Sequence, residues 1–226
     1  THIVDASNLR LQSTNLESGC YQSMFYGCTS LTTAPALPAT SLVNDCYYEM
    51  FYGCTSLTTA PALPATSLKQ SCYSSMFQGC TSLTSAPALP ATTLGYRCYQ
   101  SMFQGCSKLT TAPTELPATT LADYCYVSMF QGCTSLTSAP ALLATTLGYV
   151  CCRSMFRGCS KLTTAPTLLA TELEGYCYEA MFSGCTSLTS VTIYAKDAAY
   201  DSLGSWLGNV APSGTVYNNG FLDLPK

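Results

Sequence analysis

The sequence predicts an α/β solenoid: short parallel strands on one face, short helices on the opposite side, and coils stacked along one axis. Three observations carry this. The block Cys-Tyr-x-x-Met-Phe-x-Gly-Cys-[Thr/Ser]-[Ser/Lys]-Leu-Thr recurs seven times, starting at Cys20, Cys46, Cys72, Cys98, Cys125, Cys151 and Cys177. The step is 26 residues, lengthened once to 27 by Glu115. A fixed period of this size marks a supersecondary unit that buries its apolar face only against copies of itself. Finally, the chain of 226 residues is 47% hydrophobic and only 9% charged, against about a quarter charged in ordinary domains. That is material for a long continuous core.

The strand comes first. Leu31-Thr32-Thr33-Ala34-Pro35-Ala36 has the Leu-x-x-apolar-x-apolar spacing of a leucine-rich repeat. In this reading Leu31, Ala34 and Ala36 point inward, and Thr33 and Pro35 point out of a concave face. Proline cannot donate to a ladder, and Pro61, Pro87, Pro113, Pro140 and Pro166 repeat the loss. The strands are therefore expected to be short and weakly bonded. Pro38, Pro64, Pro90 and Pro117 turn the chain, and Leu42 returns it to the core.

A helix of about two turns is expected over 45–54. Cys46 with Met50, and Tyr47 with Phe51, are i, i+4 pairs forming adjacent apolar stripes. Gly53 falls where a left-handed residue ends a helix, and it recurs as Gly27, Gly79, Gly105, Gly132, Gly158 and Gly184. The repeated tyrosines (Tyr21, Tyr47, Tyr73, Tyr99, Tyr126, Tyr178) read as half-buried rim packing, and the methionine column from Met24 to Met181 reads as core.

The domain plan is one unit, 1–226: an N-terminal cap and partial repeat over 1–19, seven repeats over 20–194, and a C-terminal cap over 195–226. Within the last, residues 197–209 read as a longer amphipathic helix and 214–217 as a further strand. Trp206, the only tryptophan, is placed over the open end of the core.

Fifteen cysteines would ordinarily suggest disulfides. Yet Cys20 and Cys28, eight residues apart along a helix, would lie too far apart for the roughly 7 Å limit between Cα atoms. Bridging adjacent coils would leave alternate interfaces unlinked. Two columns of buried thiols acting as small apolar residues are expected instead, with Cys152 as the odd one where the sixth unit lacks its tyrosine.

At this point the residues resemble a family. Met-Phe-x-Gly-Cys-Thr-Ser-Leu-Thr-[Thr/Ser]-Ala-Pro is similar to the unit of the bacterial BspA-type leucine-rich repeats, with methionine where that family commonly has alanine. The resemblance spans about residues 11–217. It implies a secreted or bacterial cell-surface protein used in adhesion to host or neighbouring-cell protein or glycan.

Chemistry finds little footing. His2, the one histidine, is terminal, so no nucleophile in the body of the chain has an imidazole to activate it. Catalytic residues: none. There is no Cys-x-x-Cys, and a column of thiols does not close a tetrahedral site, so neither metal nor cofactor is expected. The net charge of −3 comes without a run of like charges, which speaks against nucleic acid. No apolar run reaches the roughly 20 residues of a membrane span, and the first residues read as those of a trimmed or mature chain. The expected function is non-enzymatic binding by a monomer, with an extracellular-matrix or cell-surface glycoprotein or glycan as partner. A structural spacer presenting another domain is the alternative. Tyrosine and arginine dominate binding hot spots, and those at positions that change from unit to unit are the candidate contacts: Tyr48, Tyr52, Tyr96, Arg97, Tyr124 and Tyr149. The Thr/Ser-Pro columns, by contrast, are nearly identical in every copy.

Overall fold

A computed structural model describes residues 2–11 and 16–218. The coils stack in register, and three ladders run along the stack. The first joins the threonine or serine before each Ala-Pro pair: Thr59 bridges Ser85, Ser85 bridges Thr111, and Ser138 bridges Thr164, all in parallel. The second joins the hydroxyl residues before Leu42 and its equivalents, with Ser41 to Ser67, Ser67 to Thr93 and Thr120 to Thr146. Most pairings are single bridges, as the missing proline N–H requires.

Longer strands appear where the pattern changes: β1 (Glu115–Leu116), β2 (Ala141–Leu142), β3 (Glu172–Leu173), β4 (Ser190–Ile193), β5 (Asp197–Ala198) and β6 (Thr215–Asn218). β1 pairs β2, β3 pairs β5 and β4 pairs β6, all parallel. β4 reaches four residues because Val191-Thr192-Ile193 replaces the small, proline-interrupted segment of earlier coils. Among the described bridges, none joins Thr93 to Thr120 or Thr111 to Ser138. Both pairs span the 27-residue step, across which the turn-run ladder nevertheless continues, with Tyr99 N–H donating to Cys125 and Phe103 N–H to Met129.

Facing differs from expectation along this segment. Leu31 is buried and Thr33 exposed as expected, but Pro35 is buried and Ala36 exposed. An isolated bridge does not impose the strict pleat of a strand, so the proline ring fills the interior and Leu37 follows it inward.

The third ladder replaces the expected helices. No α-helix occurs among the described residues; each such segment is a run of overlapping turns. In the coil at 71–80, the N–H groups of Ser71, Tyr73, Ser75, Phe77 and Gly79 donate to Tyr96, Cys98, Gln100, Met102 and Gln104 of the next coil at 2.7–2.9 Å. Those of Cys72, Ser74, Met76, Gln78 and Cys80 donate three residues back at 3.1–3.5 Å. Every fourth residue is left-handed, with Ser71 at φ 52°, Ser75 at 53° and Gly79 at 74°, as the third position of a type II turn requires. A helix would satisfy its N–H groups internally and offer none to its neighbour. This arrangement spends half of them on inter-coil bonds. The 197–209 segment follows the same rule, as β5 and a turn run rather than a helix.

Inside lie stacked columns. Phe25, Phe51, Phe77, Phe103, Phe130, Phe156 and Phe182 stack at centroid spacings of 5.4–5.7 Å. Trp206, nearly buried, closes that column 6.5 Å from Phe182. Met50 to Met181 are buried, but Met24 in the first coil is 43% exposed. Tyr21 in the first coil is half-buried, as expected, but the other repeated tyrosines are core rather than rim: Tyr47, Tyr73, Tyr99, Tyr126 and Tyr178 are no more than 1% exposed, and their hydroxyls have no hydrogen-bond partner.

All fifteen cysteines are thiols. Cys54, Cys80, Cys106, Cys133, Cys159 and Cys185 each donate S–H to the phenylalanine carbonyl of the preceding coil at 3.0–3.1 Å. These thiols are inter-coil ties as well as packing. Burial pushes the Cys106 and Cys185 thiols up to about 12, and that of Cys133 well above its usual value.

Candidate binding ribbon

The residue just before each turn run decides what the edge of the coil shows. From the fourth coil onward that edge carries tyrosine. Tyr96, Tyr124, Tyr149, Tyr176 and Tyr200 form a continuous ribbon along the stack, with successive centroids 5.5, 5.9, 5.9 and 5.6 Å apart. Successive rings meet edge to face, at 66–90°, the geometry that the ring quadrupole favours.

The alternation has a sequence cause. In each coil one residue before the column cysteine is left-handed: Arg97 (φ 57°), Tyr124 (59°), Val150 (57°), Tyr176 (56°) and then Asp201 (50°). Tyr124 and Tyr176 are that residue; Tyr96, Tyr149 and Tyr200 stand one place earlier. The two placements hold the ring at different depths. Tyr96, Tyr149 and Tyr200 are 39%, 43% and 78% exposed, whereas Tyr124 and Tyr176 are half-buried.

Neighbours fix the ribbon. The Arg97 guanidinium carbon lies 4.9 Å from the centroid of Tyr96 and 5.1 Å from that of Tyr124, a cation–π sandwich. Asp123 Oδ1 accepts the Tyr149 N–H at 2.8 Å. A Cβ on Gly148 would sit 2.7 Å from backbone atoms of Ala122 and Asp123, and one on Gly95 2.5 Å from the Lys69 carbonyl carbon. Glycine before Tyr96 and before Tyr149 therefore lets each coil settle against the one below. Further along the edge, Arg153 pairs with Glu179: Nη2 donates to Oε1 at 3.2 Å, and Nε lies 2.9 Å from Oε2.

Four of the six sequence-predicted contacts, Tyr96, Arg97, Tyr124 and Tyr149, are thus brought together. The other two are not. Tyr52 stacks on Tyr26 at 4.7 Å and 5°, at the far end of an earlier turn run. Tyr48 is half-buried and makes no ring contact with the ribbon, although its phenol lies within electrostatic reach of Arg97; its pKa is raised first by desolvation and then by its hydrogen bond with Glu49. Tyr176 and Tyr200 complete the ribbon but were not among those six. The signal that finds Tyr176 is the recurring Gly-Tyr or Asp-Tyr just ahead of the column cysteine; Tyr200 follows Ala199 in the cap, where the cysteine is lost, and carries no such signal.

No group of acidic, cysteine or histidine side chains among the described residues is arranged to hold a metal. A cleft of about 200 Å³ opens beside β4 and β6, lined chiefly by Leu188, Val191, Leu207, Val210 and Val216. Its polar side-chain groups are the hydroxyls of Thr189, Ser190 and Thr215. Among the described residues no helix is long and apolar enough to cross a membrane.

Register-stacked coils, a buried leucine column and short parallel strands define a leucine-rich-repeat solenoid. The family described as the BspA type leucine rich repeat region matches residues 7–137 in six copies, and the chain belongs to that family. A crystal structure of a leucine-rich repeat protein from Bacteroides ovatus ATCC 8483 is similar at 16% identity. The match covers 84% of this chain and 68% of that one, with a TM-score of 0.32. No curated protein matches the chain.

Proposed function

We propose that this protein is a non-enzymatic binding module of a bacterial surface or secreted protein, and that it engages its partner through the tyrosine ribbon. The observation that carries this is the clustering of Tyr96, Arg97, Tyr124, Tyr149, Tyr176 and Tyr200 on one edge, with Tyr96, Tyr149 and Tyr200 exposed. Tyrosine offers large contact area at low entropic cost, and arginine adds directed donors. Adhesion to a host or neighbouring-cell surface fits such a module.

A spacer role is the second reading, favoured by the near-identity of the Thr/Ser-Pro ladder from coil to coil. A screen of the purified chain against immobilised matrix glycoproteins and a glycan array separates them. Saturable binding to any member of either panel supports the module. No binding by folded, monodisperse protein to either panel favours the spacer.

A further inference from the structure

We infer that the Cys20–Tyr21 and Cys46–Tyr47 peptides, in the first two turn runs, form a coupled two-state device. They turn over as a pair, and the outer side of the first run then presents the Cys20 carbonyl in place of the Tyr21 N–H. This stands apart from the binding reading above.

The ground is one reversal in an otherwise uniform ladder. From the third run onward, the N–H that follows each column cysteine donates forward to the next coil. Tyr73 donates to Cys98, Tyr99 to Cys125, Tyr126 to Cys151, Cys152 to Cys177 and Tyr178 to Ser202, at 2.8–3.0 Å. Tyr47 donates backward instead, to Cys20 at 3.1 Å. Tyr21 (φ 62°) and Tyr47 (φ 61°) are left-handed, whereas Tyr73, Tyr99, Tyr126 and Tyr178 are not. The stacked rings register the same break. Tyr47 lies at 12° to Tyr21 and 13° to Tyr73, while Tyr73–Tyr99 and Tyr99–Tyr126 meet at 25° and 21°.

A trans peptide points its N–H and C=O in opposite directions, and no peptide among the described residues is cis. The Cys46 carbonyl therefore points forward, because the Tyr47 N–H points back. The Cys72 carbonyl points back, because the Tyr73 N–H points forward. The two carbonyls face each other between the second and third runs, and among the described residues neither accepts a hydrogen bond. Both cysteines are fully buried, where an acceptor ordinarily has a partner.

Turning both peptides makes the ladder uniform. Tyr21 N–H then donates to Cys46 and Tyr47 N–H to Cys72, two inter-coil bonds in place of one. Both tyrosines also leave the left-handed region, which is costly for a residue with a Cβ. Turning only one of the two leaves a pair of carbonyls or a pair of N–H groups face to face, so the two move together. Contacts at the outer side of the first run bias the state. A donor laid against Cys20 favours the uniform ladder, and an acceptor laid against Tyr21 favours the reversed one.

The test is amide-resolved NMR on the intact, deuterated chain. Hydrogen exchange should find the Tyr47 amide protected and the Tyr21 amide fast, although Ser23 and Phe25 in the same run are bonded forward and protected. Relaxation dispersion should show Tyr21, Tyr47 and Tyr73 exchanging at one shared rate with a second state at about 1–10%, and none at Tyr99 or Tyr126. Tyr21→Gly and Tyr21→Ala both remove the ring, but only glycine adopts positive φ freely. The ratio of reversed to uniform state should therefore be about fivefold higher in the glycine variant. Circular dichroism checks that both variants fold; if either does not, the wild-type exchange and dispersion decide alone. A Tyr21 amide as protected as Ser23, flat dispersion at all three tyrosines, or equal ratios in the two variants overturns the inference. Exchange shared by the whole first run also overturns it, since the run would then be detaching rather than its peptides turning.

Discussion

Raising the pH past about 8.5, where an exposed thiol ionises, is expected to unfold this protein through its thiol columns. Cys72, Cys80, Cys98, Cys106, Cys125, Cys133, Cys152, Cys159, Cys177 and Cys185 are fully buried, and burial raises the pKa of each. A group whose pKa is higher in the folded state contributes its stability fully below its unfolded pKa. That contribution is lost as pH rises towards the folded value, because only the unfolded chain can release the proton. At pH 9 each such thiol favours the unfolded chain by about 0.8 kcal/mol, so ten together cost about 8 kcal/mol; at pH 7.5 the total is about 0.6 kcal/mol. Set against a typical stability of about 5–15 kcal/mol, the midpoint falls between about pH 8.6 and pH 9.6. The assay is circular dichroism with Trp206 fluorescence across a pH series, in a phosphine reductant, with thiolate absorbance recorded in parallel. Structure and thiolate signal should change together and steeply. Thiolates appearing gradually while the fold persists would refute the burial argument, as would a folded chain free of thiolate up to about pH 10.5.

Three other outcomes follow from the packing. Tyr99→Phe removes a buried hydroxyl that has no partner and should raise stability by about 1 kcal/mol; a loss of stability on thermal melting would mean that the hydroxyl is satisfied. Gly148→Ala should destabilise more than Gly132→Ala in matched denaturant titrations. At Gly148 the new Cβ meets backbone at 2.7 Å, whereas at Gly132 it has 3.8 Å of room and only the strain of φ +74°, about 1 kcal/mol. With a disulfide reagent under native conditions, only Cys20, which is partly exposed, should react quickly. The other thiols should become available on denaturation, and fast reaction of many at once would contradict the sealed core.

The solenoid was legible because its signal is redundant: Leu31 and Leu57, Phe51 and Phe77, Gly53 and Gly79 each repeat in step, and one misread unit is corrected by six others. The helices were misread for a physical reason. Cys72, Met76 and Cys80 are spaced by four, as are Tyr73 and Phe77. Over eight residues a period of four cannot be told from 3.6. What separates the two is the left-handed residue at every fourth place, and serine, tyrosine, arginine, valine and aspartate occupy it, none of which announces itself as glycine does. Pro35 and Ala36 were inverted because a strand's strict alternation was applied to a single bridge. The tyrosine column was placed at the rim because a phenol normally seeks a partner, and here five do without. The ribbon was two-thirds visible: residue type and variability found Tyr96, Arg97, Tyr124 and Tyr149. Tyr52 shares that chemistry but stacks on Tyr26 elsewhere on the coil, and Tyr48, though within electrostatic reach of Arg97, is half-buried outside the ring stack, which is a matter of geometry rather than composition.

The most direct test of the account compares two double variants for binding to whichever panel member the screen identifies. Tyr96→Ala with Tyr149→Ala removes two exposed ribbon rings; Tyr26→Ala with Tyr52→Ala removes an equal number from the separate stack. The account expects the first to abolish saturable binding, with an unchanged circular dichroism spectrum, and the second to leave it intact. Equal loss in both, or loss only in the second, would place the binding surface somewhere other than the ribbon.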